Sequence, residues 1–207
     1  MQLKDLADKI IDGYEITKEE ALELYDAPLD ELKESASKIT SHFFKEAIEL
    51  CCISNGKCGK CSENCKFCSQ SRYYNTEIQQ SVLKSVDEFF KEAQANDKRG
   101  VHRFSIVTAG VRLSKAELKT IAQAYKKISS ELKISCCGSL GLLDYDDFVM
   151  LKEAGLKRYH NNLETSPNFF KEICTTHTMK QKEDTIALAK KAGLEICSGC
   201  ILGMGES

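Results

Sequence analysis

Cys61, Cys65 and Cys68 stand at the spacing C-x3-C-x2-C within the stretch Lys60-Cys61-Ser62-Glu63-Asn64-Cys65-Lys66-Phe67-Cys68-Ser69-Gln70. Three thiolates this close together point to a bound metal or cluster. A tetrahedral zinc site or a cubane iron–sulfur cluster takes four ligands. Three leave one metal position open, and an open iron can bind a small molecule. Cys58 would complete C-x2-C-x3-C-x2-C, so a closed zinc knuckle is the plainer alternative.

The elements that must hold this loop fit an ordinary globular chain. Of its 207 residues, 42% are hydrophobic and 29% charged, and the net charge is −2. That balance argues against a nucleic-acid surface. The longest apolar runs are too short for a membrane span. The N-terminus lacks the apolar segment of a secretory signal. Eleven cysteines are many for such a chain, yet helical segments rather than turn-rich linkers separate them. The expectation is a cytoplasmic protein with reduced thiols used for metal.

Residues 1–45 read as three helices forming an N-terminal cap: Leu3, Leu6, Ile10 and Ile11 make a helical stripe, Thr17-Lys18-Glu19-Glu20 is a capping box, and Pro28 opens the third. From 46 to 207 strand and helix alternate five times. The expected strands are 47–53, 101–108, 132–137, 156–163 and 194–197; the principal helices are 85–98, 114–131, 144–154 and 180–192. Alternation of this kind specifies an α/β chain with a parallel sheet. The place after the first strand, where a doubly wound fold keeps its glycine-rich phosphate loop, is taken by cysteines. Cys61, Ser105, Cys137, Asn162, Glu164 and Cys197 are expected at the C-terminal strand ends, which converge in a (β/α) TIM-type barrel. A full barrel has eight units, so five units predict part of one, apparently truncated at its C-terminus.

The motifs together carry a resemblance. C-x3-C-x2-C with Phe67 before its last cysteine resembles the cluster motif of the radical S-adenosylmethionine (SAM) superfamily. With Leu163-Glu164-Thr165-Ser166-Pro167, Cys197-Ser198-Gly199 and Gly203-Met204-Gly205-Glu206, the chain from about residue 40 onwards resembles the biotin synthase family within it. The resemblance implies a [4Fe–4S] cluster on Cys61, Cys65 and Cys68, with SAM on the open iron and Phe67 beside it. SAM cleavage would yield a 5′-deoxyadenosyl radical. Hydrogen would then be taken from two carbons of dethiobiotin, and sulfur from a second cluster inserted between them. Asn162 and Glu164 match a polar pair that touches the SAM ribose and the substrate. Gly199, Ile201 and Gly203 fall in the backbone segment near the adenine. Arg103 matches a basic residue near the second cluster, and Cys137 and Cys197 match two of that cluster's ligands. The family also implies a flavodoxin- or ferredoxin-type electron donor and a homodimer.

Two departures stand out. Ser105 takes the place of the usual first cysteine of the second cluster, and serine is a poor iron–sulfur ligand beside a thiolate. Cys136 and Cys200 are additional. The expectation is a re-ligated second cluster, [2Fe–2S] in the family and four-iron here, on Cys197, Cys200 and Cys137 or Cys136. His160 stands where the family often has asparagine. Cys51, Cys52 and Cys174 read as core or helix positions, and His42, His102 and His177 as structural. Two other classes fit part of the pattern. One is a radical SAM enzyme of hydrogenase-cofactor maturation or pyrrolysine synthesis; the other is an iron–sulfur electron carrier.

Overall fold

The computed structural model describes residues 2–45 and 47–206. Met1, Ser207 and Glu46, the expected first residue of the barrel, lie outside them. The chain divides into two compact units, Met1–Ile48 and Glu49–Ser207.

The first unit holds α1 (Leu3–Ile11), α2 (Lys18–Tyr25) and α3 (Leu29–Phe44). Helix α1 buries Leu3, Leu6 and Ala7 and packs on α3. At the start of α2 the Thr17 hydroxyl accepts from Glu20 N, while Thr17 N donates to Glu20 Oε2 at 2.8 Å. This reciprocal pairing satisfies two amides that a helix start leaves bare.

In the second unit β1 (Cys51–Lys57), α4 (Val86–Asp97), β2 (Arg103–Thr108), α5 (Lys115–Glu131), β3 (Ser135–Ser139), α6 (Tyr145–Glu153) and β4 (Leu156–His160) alternate. The short α7 (Phe170–Ile173), α8 (Met179–Lys191) and β5 (Glu195–Cys197) follow. Ser85, Ser114 and Thr178 open α4, α5 and α8 with capping boxes. Gly155, at φ +107°, follows α6, and a β-carbon there would lie 2.3 Å from Ser129 Oγ. The left-handed turn and the close approach both require glycine.

All four strand pairs are parallel, and the order is β1-β2-β3-β4-β5. A doubly wound sheet reverses its order part-way across. Here each crossover steps the same way, as in a singly wound (β/α) TIM-type barrel. Alternation along the strands sorts their side chains. Phe104, Ile106, Cys136 and Tyr159 join a core with Phe89, Leu118, Ile121, Tyr125 and Phe148 of the surrounding helices. The opposite, inner face carries Cys51, Arg103, Ser105 and Cys137.

Three expectations change. Strand β1 begins at Cys51 rather than Ala47. Its first residues are tied in by edge contacts instead: Leu50 N donates to His102 Nδ1 at 3.0 Å, and Leu50 O accepts from His102 N and Arg103 N. Cys136 is directed into the hydrophobic core, because adjacent strand residues face opposite ways, so it is not a companion of Cys137. Ser105 and Cys137 are register partners in mid-strand, below the rim where the strand ends were expected to bring them.

Candidate active site

The loop that carries the three thiols is built against the turn between α7 and α8. Cys61 N donates to Gln70 O at 2.9 Å, and Arg72 N to Cys61 O at 3.0 Å, closing the loop's base. Lys66 N donates to Ile173 O at 2.9 Å. The Asn64 side chain donates to Thr175 Oγ1 at 2.7 Å and accepts from Thr175 N at 2.9 Å. Beneath them Glu63 Oε2 lies 2.8 Å from His177 Nδ1, both side chains nearly buried. Burial opposes the charge on Glu63, but hydrogen bonds from Thr176, His177 and Ser62 outweigh it and hold the carboxyl below its usual range.

Cys61, Cys65 and Cys68, with Phe67, line one cavity. Its far wall is made by strand ends: Asn55 and Lys57 of β1, Val107 and Thr108 of β2, Ser139 of β3, and His160, Asn161, Asn162 and Glu164 at and after β4. This is the C-terminal mouth, where barrels of this type place their chemistry. Glu164 has φ +72°, a conformation that costs of order 1–3 kcal/mol in a non-glycine residue. Lys182 of α8 holds it there, with Nζ 3.2 Å from Glu164 Oε1, 3.1 Å from Asn161 Oδ1 and 2.9 Å from Asn162 O. His160 Nδ1 lies 3.2 Å from Ser139 Oγ, and burial lowers its pKa, favouring neutral imidazole.

Cys65 has a second thiol beside it. Its Sγ is 3.7 Å from Cys174 Sγ, and Cys174 Sγ is 3.3 Å from His177 Nδ1. Burial, and then the neighbouring Cys174, push the Cys65 thiol far above its ordinary range. Iron coordination is what would deprotonate such a group. Cys174 and His177 had no spacing to mark them; only folding brings them 109 and 114 residues along the chain to the Cys65 loop.

The segment after β5 runs beside Glu164: Ile201 N donates to Glu164 O at 2.7 Å, and Leu163 N to Gly199 O at 3.0 Å. A β-carbon on Gly199 would meet Asn162 Oδ1 at 3.5 Å, so the bare backbone faces the site. Gly203, at φ +84°, begins a turn in which Gly203 N and Met204 N donate to the Glu206 carboxylate at 2.6 and 2.8 Å. Gly199, Cys200 and Ile201 line a separate cavity with Leu163, Thr165 and Ser166. The expected pairing of Cys200 with Cys197 is therefore not what the fold builds. Cys197 ends β5, whereas Cys200 lies past it, bridged to Glu164.

Deeper on the inner face a second group forms. Arg103 Nε lies 2.8 Å from Glu49 Oε2, and Arg158 Nη2 lies 2.8 Å from Glu195 Oε2. Longer contacts at 3.7 and 3.6 Å cross-link the two pairs. Cys137 lies among these charges. Burial pushes its thiol up to about 11, against the pull of Arg103, which hydrogen-bonds it. Cys51, read from the sequence as a core position, is exposed on this same face instead. Burial of its thiol, then the nearby Cys197, raise its pKa.

The donor sets fit the chemistry of iron–sulfur binding. Soft thiolates are its ligands, and the three on the loop share one side of the mouth while polar groups occupy the other. A parallel (β/α) sheet with a three-thiol loop after its first strand defines a class, and residues 57–207 match the model of the radical SAM superfamily. The chain belongs to that superfamily, whose members use a [4Fe–4S] cluster and SAM. Within it the chain is similar to biotin synthases along its whole length. It is 45% identical to that of Brachyspira hyodysenteriae over 207 residues, 100% of this chain and 62% of that protein. To that of Clostridium botulinum it is 47% identical over 199 residues, 96% of this chain and 63% of that one. The chain thus spans less than two thirds of these relatives. The crystal structure of a methylornithine synthase shares the fold, with a TM-score of 0.81 at 20% identity over 98% of this chain and 60% of that one.

Proposed function

We propose that the chain is the cluster-bearing part of a biotin synthase, which converts dethiobiotin to biotin by inserting sulfur between two carbons. The observation that carries this reading is the convergence of Cys61, Cys65 and Cys68 with Asn162 and Glu164 on one cavity, in a chain 45% identical to a biotin synthase from end to end. Cys61, Cys65 and Cys68 would hold the [4Fe–4S] cluster; Arg103, Cys137 and Cys197 belong to the site of a second, sulfur-donating one. Loaded with the [4Fe–4S] cluster and with SAM, the site would supply reductive radical chemistry, the electron coming from an external reductant.

The chain's own residues bind and orient. The Glu164 carboxylate can accept both ribose hydroxyls, and the Asn162 amide can donate to and accept from a ureido group. Lys182 fixes both by holding their loop. Phe67 offers an apolar surface at the rim, and the Gly199–Gly205 backbone presents amides and carbonyls to an adenine. The Asn64 and Glu63 contacts hold the cysteine loop over the strand ends, which preorganises the radical source relative to the substrate. The reading includes a flavodoxin- or ferredoxin-type reductant, a homodimer and a cytoplasmic setting. Among the described residues no helix is long and apolar enough to cross a membrane.

The test is anaerobic incubation of the reconstituted full-length protein with SAM, reductant and dethiobiotin. Both 5′-deoxyadenosine and biotin are expected. Deoxyadenosine without biotin would leave the superfamily chemistry and reject this substrate.

A further inference from the structure

Ser105 poses a problem for a second cluster. It is nearly buried in mid-strand, next to Cys137 in register, where an iron site on this face would need a soft ligand. A serine hydroxyl is not one. The neighbouring positions show what else the face offers. Strand β1 lies against β2 with Cys51 opposite Arg103 and Ile53 opposite Ser105. Cys51 therefore projects from the inner face, one pleat below Ser105, while Cys52 turns outward to the core. Arg103 stands on β2, the strand between Cys51 of β1 and Cys137 of β3, opposite Cys51 on one side and Ser135 on the other. On the other side Cys197 ends β5, opposite His160 and two residues past Glu195.

We propose that Cys51 supplies the thiolate that Ser105 cannot, so that the second iron–sulfur cluster of this chain is held by Cys51, Cys137 and Cys197. The assignment rests on the biotin synthase reading for the existence of that cluster. It replaces the Cys197–Cys200 pairing, since Cys200 lines a different cavity, and it excludes Cys136, which is buried in the core. Arg103 and Arg158 stand on this face as hydrogen-bond donors, each also paired with a carboxylate, Glu49 and Glu195. A mononuclear ion needs its thiolates on one atom at about 2.3 Å. A multi-iron cluster accepts thiolates spread over β1, β3 and β5.

The test uses the full-length chain with Cys61, Cys65 and Cys68 changed to alanine, so that only second-cluster iron is read. After anaerobic reconstitution with ferrous iron and sulfide, iron and sulfide content, visible absorption and Mössbauer spectra are recorded. Cys51→Ser is expected to lose the cluster's iron and its charge-transfer absorption. Ser105→Ala and Cys52→Ser are expected to keep both. Adding Ser105→Cys to Cys51→Ser is expected to restore iron binding with a changed spectrum. Cys51→Ser in a chain with an intact first site must still load its [4Fe–4S] cluster, which shows that the variant folds. Retention of the parent spectrum in Cys51→Ser, or its loss in Ser105→Ala, overturns the assignment. A triple-alanine parent that binds no iron, beside a wild-type chain that loads one cluster, overturns the sulfur-donor reading and this assignment with it.

Discussion

At the scale of single residues, two buried polar pairs position the site. Lys182 Nζ and Glu164 Oε1 are 3.2 Å apart with side chains only 11% and 12% exposed. Replacing one partner leaves the other charge in a poorly solvated place, which costs about 3 kcal/mol or more. Lys182→Met is therefore expected to weaken SAM binding about tenfold or more and to lower the melting temperature, read by equilibrium dialysis and calorimetry. The second pair is Glu63–His177. The folded-state pKa of Glu63 is depressed, so its stabilisation is full above the unfolded carboxyl value of about 4.3 and is lost as pH falls through the folded one. Glu63→Gln removes that ionisation. Thermal melts between about pH 3 and 6 should fall less steeply with acid in the variant than in wild type. Equal slopes would mean that other carboxylates set the acid limit.

The same scale shows what spacing could and could not reveal. Cys61, Cys65 and Cys68 declare themselves because their ligand geometry is local in sequence. His177 and Cys174 meet Glu63 and Cys65 only after α7 and α8 are in place, and nothing near them in the chain signals it. The adjacent pairs Cys51-Cys52 and Cys136-Cys137 needed one more fact, the phase of the pleat. Period-two alternation says that one member of each pair faces inward, but which one depends on register.

Among the elements, helices were legible to within a residue or two because capping boxes at Thr17 and Ser114, Pro28 before α3 and the glycine at 155 mark their ends, while the boxes at Ser85 and Thr178 emerged only in the structure. Strand β1 was not, since the stretch before Cys51 is apolar without pairing as strand. Packing between layers was also hidden. A β-carbon on Gly138 of β3 would lie 2.5 Å from the Tyr125 hydroxyl of α5, which donates to Cys137 O at 2.7 Å. Gly138→Ala should therefore destabilise by about 1–3 kcal/mol. Part of that loss should disappear in a Tyr125→Phe background, where the obstructing oxygen is gone. A double-mutant cycle in urea measures the coupling, and additive effects would refute the contact.

For the whole molecule, the main apolar core lies between the sheet and its helices, and of the three loop thiols only that of Cys65 packs on a small second cluster, with Phe170, Ile173 and Cys174. Stripping iron with a chelator under oxidising conditions is expected to abolish the visible absorption while leaving the far-ultraviolet dichroism of the α/β unit nearly unchanged. Local proteolysis should then rise first in residues 60–76. Loss of the dichroism together with the iron would show instead that the metal holds the fold together, as in small zinc domains.

The unbroken order β1-β2-β3-β4-β5 has a consequence for how the chain is made. Each strand pairs with the one synthesised just before it, so within the five-stranded sheet no strand waits for a distant partner. Synthesis proceeds at about 5–20 residues per second, far slower than local helix and strand formation. Every βα unit can therefore settle on the preceding one while still tethered to the ribosome. The three thiols on the loop after β1 emerge early in that schedule, before α7 and α8 exist to clamp them. The cysteine loop therefore reaches its final packing late, when the α7–α8 turn with Cys174 and His177 arrives to meet Asn64 and Cys65.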